Sequence, residues 1–324
     1  MMQRTSNKFN SAVLLILSLS LLTACQSTKP LIKSVKKVND LEKMDLKGPV
    51  KTMKVKSYKI SVNSRTGKVN NYGLSKIKPK NLVYLFNKDG NIVEKRTYDG
   101  KGQLRAKSTY TYDIEKREII EKTYKDANEV SDFRQVTYYD KNGNKTKLLS
   151  YSKGEDEPYK ETFTYDQSGN ILEEIKHRSS GLFKTQYNYD NEGRLIEKTI
   201  YNAENLLMTE TYAYDEKGNL QTAVQDENRT VHAKYIFKKK YKDGKEIERK
   251  SLKNGAVNGR FVYSYNDQGQ RIEYKKYDES NNLVSGEKTD FEYDDKNNWI
   301  QKIPFDPNGF PKRMIEREIE YFGE

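Results

Sequence analysis

The chain has 324 residues, 34% hydrophobic and 33% charged, so it has less apolar surface to bury than an ordinary globular domain of its length. One Cys and two His exclude a disulfide framework and leave little to build a zinc site from. The net charge of +12 is uneven: residues 25–80 carry 15 basic against 3 acidic side chains, and residues 81–324 carry 42 against 44. That near-neutral body makes nucleic acid a poor partner.

Residues 1–24 have the layout of a targeting segment. Arg4 and Lys8 form a basic start, and the apolar run Ala12 to Leu22 is too short to span a bilayer stably. It ends in Leu22-Thr23-Ala24-Cys25, which resembles a bacterial lipobox. The resemblance implies that Cys25 becomes the lipidated, palmitate-bearing N-terminus of the mature protein. Gln26 after it implies sorting to the outer membrane. Residues 25–47 are expected to be a Lys-rich tether, with a helical turn or two between Val35 and Leu46. Juxtamembrane Lys is attracted to an anionic leaflet. Alternatively, Lys54 and Lys56 guard an exposed edge strand. The β domain is expected to occupy 48–324, opening with a strand at Val50 to Val62.

From Tyr84 on, one unit recurs. Phe163-x-Tyr165-Asp166-x-x-Gly169 places two rings on one face of a strand. Asp166 then suits the first position of a type I turn, and Gly169 the left-handed fourth. Together they predict a strand, a bulged reversal and a second strand. Further copies are Tyr84-x-Phe86-Asn87, Tyr187-x-Tyr189-Asp190, Tyr212-x-Tyr214-Asp215, Tyr263-x-Tyr265-Asn266 and Phe291-x-Tyr293-Asp294. Thr137-x-Tyr139-Asp140 lacks the first ring, Tyr110-x-Tyr112-Asp113 lacks the Gly, and Tyr241-Lys242-Asp243-Gly244 is degenerate. A spacing of about 25 residues fits two strands and two turns, each unit burying its face against its neighbours.

Tyr189-Asp190-Asn191-Glu192-Gly193-Arg194-Leu195 resembles the core of the YD repeat of Rhs-type proteins. Residues 243–259 also have a flavour of the related MORN hairpin. The family resemblance implies a long antiparallel β-meander. Large members wind such repeats into a shell around a toxin domain. This chain has fewer repeats than such a shell and looks more like the small YD-repeat lipoproteins of bacterial envelopes. The fold class expected is all-β, a single twisted sheet curled into a trough or open spiral. One face should carry the rings and the other polar residues. A closed two-sheet core would need more apolar residues at the second-face positions.

Chemistry is sparse. His177 and His232 lie in different repeats, so no metal site is expected. Asp140-x-Asn142-x-Asn144 copies half of a calcium loop, but Tyr151 stands where the closing Glu belongs. No cofactor is implied. Trp299 is expected to cap the end of the sheet rather than stack on a sugar. The feature repeated enough to form a site is the row of rings. Phe163, Tyr165, Tyr187, Tyr189, Tyr212, Tyr214, Tyr263, Tyr265, Phe291 and Tyr293 should share one face, with hydroxyls open to water or ligand. Tyr165, Tyr187, Tyr189, Tyr212 and Tyr214 are the candidate binding face. The expected function is a non-catalytic envelope lipoprotein binding a protein or polysaccharide. A glycan hydrolase of the envelope or a carrier of an acyl chain are the alternatives.

Overall fold

In the turn after Tyr165, the Asp166 N–H donates to the Asn170 carbonyl at 2.9 Å. The Gly169 N–H donates to the Asp166 carbonyl at 3.1 Å. The Asp166 carboxylate accepts the Asn170 N–H at 2.8 Å. Gly169 has φ +87°, and the register slips by one residue between Ile171 and Glu173. This is the bulged type I hairpin that the Tyr-Asp-x-x-Gly spacing predicts. Gly193 and Gly218 repeat it at φ +74° and +79°, and Asn297 takes the same place at +63°. The 243–255 region turns differently. Asp243-Gly244 and Asn254-Gly255 have φ of 51°, 71°, 49° and 87°, so both central residues of each tight turn are left-handed.

The computed structural model describes residues 38–62, 69–74, 81–125, 131–178, 181–228 and 233–323. A short helix, α1 (Asp40–Lys43), precedes three strands: β1 (Val50–Val62), β2 (Val69–Leu74) and β3 (Asn81–Phe86). Next come β4 (Ile92–Tyr98), β5 (Leu104–Asp113), β6 (Glu118–Lys125), β7 (Phe133–Tyr139), β8 (Lys145–Ser152) and β9 (Tyr159–Tyr165). The regular repeats supply β10 (Ile171–Arg178), β11 (Gly181–Tyr189), β12 (Leu195–Asn202), β13 (Asn205–Tyr214) and β14 (Leu220–Glu227). The last stretch holds β15 (Ala233–Lys242), β16 (Lys245–Lys253), β17 (Ala256–Tyr265), β18 (Arg271–Tyr277), β19 (Leu283–Tyr293), β20 (Trp299–Phe305) and β21 (Arg313–Tyr321).

From β3 to β21 each strand pairs antiparallel with the next. The sheet then closes. β1 pairs with β21, setting Val55 opposite Arg317, and on its other side with β3, setting Val55 opposite Leu82. The result is a closed barrel of 20 antiparallel strands, with β2 an extension on the far half of β1. The expected open trough or spiral is therefore corrected. Closure satisfies both edge ladders, which an open meander leaves exposed. Lys54 guards no free edge, because it stands opposite Glu318 of β21 on one side and Val83 of β3 on the other, and Lys56 stands opposite Glu316 of β21.

Following the register around the ring, all ten rings fall on one face, as the two-residue spacing requires. That face is the inward one. Met53, Val55, Ser57, Leu148, Thr185, Ser251 and Ile315 lie on it and are buried, while alternate residues such as Lys160, Thr164, Asn188, Lys238 and Lys240 are exposed.

The composition argument against closure fails because the interior is lined by rings and paired charges rather than by aliphatics. Lys145 lies 4.4 Å from the Phe163 ring and 3.2 Å from Glu161. Lys198 pairs with Glu210 at 3.0 Å, and Lys239 with Glu246 at 3.0 Å. Long amphipathic side chains fill space with their stems and satisfy their tips against one another.

A small aliphatic core sits at the closing seam. Leu41, Leu46, Val50, Met53, Val55, Phe86, Ile315 and Tyr321 form it. Asn39 caps α1, accepting the Glu42 N–H at 2.9 Å. Leu41 and Leu46 are buried, so residues assigned from the sequence to the tether belong to the barrel. The start of the tether, the targeting segment and Cys25 lie outside the described residues.

Candidate functional site

The candidate rings sit at the ends of strands, held by the turns that follow them. Tyr165, Tyr189 and Tyr214 are the tyrosines of three successive Tyr-Asp pairs. Their hydroxyls are engaged, contrary to the expectation that they point to water. Tyr165 donates to the Lys145 carbonyl at 2.7 Å, Tyr189 to the Ile171 carbonyl at 2.9 Å, and Tyr214 to the Leu195 carbonyl at 2.7 Å. Each acceptor lies two residues past the Gly of the preceding turn. Tyr112 does the same to Ile92, and Tyr265 to Glu246. Sequence spacing contains this clasp, since donor and acceptor keep a separation of 18 to 20 residues.

Tyr187 and Tyr212 stand one pleat further in, and Tyr212 donates to the Glu210 carboxylate. Burial first, and the nearby Glu174 second, push Tyr187 up to about 12. All five rings are half-buried. With the hydroxyls of four of them engaged, the ring faces are what this surface offers to a ligand.

The carboxylates beside the rings are ion-paired. Glu174 lies 3.0 Å from Lys176, and Glu210 3.0 Å from Lys198. Among the described residues no group of three or more His, Cys, Asp or Glu converges on a point. His177 is exposed on β10, and His232 lies outside the described residues.

Trp299 opens β20, which pairs with β19 on one side and β21 on the other, so it caps no free end of the sheet. It packs edge-on to Phe291 at 6.3 Å and lies under Arg317, whose guanidinium carbon is 3.5 Å from the ring. Sequence reasoning missed this Arg because nothing local to Trp299 marks its partner on the following strand, β21.

No family model matches the chain, and no curated protein matches it. Among solved structures it is similar to TcdB2-TccC3, at 12% identity over 79% of this chain with a TM-score of 0.37. The match covers only 15% of that chain. It is also similar to a porin-like protein from Bacteroides uniformis, at 8% identity, 85% of this chain, 98% of that chain and a TM-score of 0.34. A porin-like protein from Bacteroides vulgatus gives 9% identity, 86% and 100% coverage and a TM-score of 0.30.

Proposed function

We propose that this chain is a non-catalytic, lipid-anchored binding module of the bacterial envelope, whose ligand is a protein or a polysaccharide. In this reading Cys25 carries the acyl chains that hold the barrel at the outer membrane, and the barrel is of the YD-repeat kind. The observation that carries it is the row Tyr165, Tyr187, Tyr189, Tyr212 and Tyr214, with ring faces half-exposed on one inward surface. Aromatic faces of this kind stack on sugar rings or on apolar peptide side chains.

The test is a glycan array and an envelope pull-down with the full chain, run beside Tyr187→Ala and Tyr212→Ala. Binding by the wild type that drops about tenfold in both variants supports the reading, as expected where buried rings carry most of the energy. Equal binding by wild type and variants rules the ring face out.

A further inference from the structure

The seam where the barrel closes gathers cations that meet rings rather than acids: Arg317 lies 3.5 Å from the Trp299 ring and Lys302 5.4 Å from the Phe291 ring. Lys302 of β20 stands opposite Ile315 of β21, which in turn stands opposite Ser57 of β1. Arg313 and Arg317 flank Ile315 on the same inward face. Diagonal neighbours on paired strands lie about 7–8 Å apart, and the charges of both Arg313 and Arg317 act on Lys302.

None of these three cations makes an ion pair among the described residues. The acid whose charge acts on Lys302 is Glu287, which is paired with Lys312 at 3.3 Å. Arg271 adds a fourth positive charge acting on Lys302. The donors are also unused. Ser57 is fully buried, and its Oγ, the Arg313 Nε and the Arg317 Nε have no hydrogen-bond partner. Lys198, by contrast, sits beside Glu210 at 3.0 Å.

Buried charge without a partner is costly, and a buried donor without an acceptor adds to that cost. Burial pushes Arg317 down to about 10, and burial followed by the neighbouring arginines lowers Lys302. What the site lacks is an anion with several acceptor oxygens. A carboxylate would offset one charge only. A phosphoryl group carries roughly −1.5 to −2 at neutral pH and three acceptor oxygens, matching three cations and a hydroxyl.

We propose that Lys302, Arg313, Arg317 and Ser57 form an inward-facing site for a phosphoryl group, separate from the ring surface. Its source is either free phosphate or a phosphorylated sugar.

The experiment is thermal unfolding of the full chain in inorganic phosphate, glucose 6-phosphate, acetate and chloride at matched ionic strength. The variants are Lys302→Met and Arg313→Gln, which leave the Trp299 stack untouched. Phosphate should raise Tm above both acetate and chloride. Each variant should weaken that response about tenfold, the usual scale for one charge-assisted hydrogen bond. In chloride alone Lys302→Met should raise Tm, because it removes an unanswered charge; a merely structural Lys302 would lower it. Tighter binding of glucose 6-phosphate than of phosphate assigns the source to a phosphorylated sugar, and the reverse order assigns it to the free ion. Equal Tm in phosphate and acetate, or a phosphate response kept in full by both variants, overturns the proposal.

Discussion

The hydroxyl of Tyr165 reaches across the strand boundary to the carbonyl of Lys145 at 2.7 Å, and this contact fastens one repeat to the one before it. The same link recurs from Tyr189 to Ile171 and from Tyr214 to Leu195. The Tyr of each Tyr-Asp pair is therefore more than a ring. Its hydroxyl satisfies a carbonyl at the bulge, where the sheet ladder slips.

Tyr165→Phe should destabilise by about 1 kcal/mol, the usual net worth of one such bond. Tyr165→Phe, Tyr189→Phe and Tyr214→Phe combined should lose close to the sum, because the three clasps share no partner. Urea unfolding of the four proteins checks this. A triple variant as stable as wild type would remove the clasp.

Turn glycines should divide by what surrounds them. Gly218 has φ +79° and open space about its Cα, so Gly218→Ala should cost about 1 kcal/mol of backbone strain and Gly218→Asn less. Asn297 already occupies the same turn position at φ +63°. Gly90→Ala should cost more, because its Cβ would meet Asn39 at 2.9 Å and Leu41 at 3.1 Å. The three midpoints in denaturant give the order directly.

The seam amide Asn298 is 2% exposed and fully committed. It accepts from the Lys47 N–H at 2.7 Å and donates to the Lys47 carbonyl at 2.9 Å and to Tyr321 Oη at 2.8 Å. Asn298→Ala leaves buried groups unpaired and should cost about 2–3 kcal/mol. Hydrogen exchange should show the loss concentrated at residues 39–47 and β21. Protection unchanged there would count against a seam role.

Stability should fall at both ends of the pH scale. Asp166 and Asp215 are held below the usual carboxylate range, first by the side-chain amides of Asn170 and Asn219 and then by backbone N–H groups. A depressed folded value gives stability that is present above about pH 4 and is lost as pH drops through the folded value. At the other end, burial raises Tyr187 to about 12. A raised folded value gives stability that is full below about pH 10 and declines as pH climbs toward 12. Urea midpoints from pH 2 to 12 map both arms. Asp166→Asn and Asp215→Asn together should make the acid arm shallower and leave the alkaline one, with Asp99, Asp140, Asp190 and Asp278, which are depressed too, contributing to what remains.

Cys25→Ser should give a full-length, unlipidated precursor that leaves the membrane fraction in a high-salt wash. Metabolic labelling with palmitate and fractionation check it. Retention of the mutant in washed membranes would contradict the anchor.

Much of this architecture is determined locally. Asp166 and Gly169 set a turn by their own hydrogen bonding and dihedral freedom, and Phe163 and Tyr165 share a face because side chains alternate along any strand. Repeated at a near-constant spacing, these facts dictate an antiparallel meander with one ring-bearing face. Closure is a different matter. It depends on Val55 meeting Arg317 and Leu82 at once, and on Asn298 meeting Lys47 across 251 positions of sequence. No periodic signal marks those partners, and counting aliphatic residues misleads where Lys, Glu and Tyr supply the lining. The Lys302, Arg313, Arg317 and Ser57 cluster is likewise a product of tertiary structure alone. Its members come from three strands at opposite ends of the chain, and they face one another because the first strand of the barrel pairs with the last.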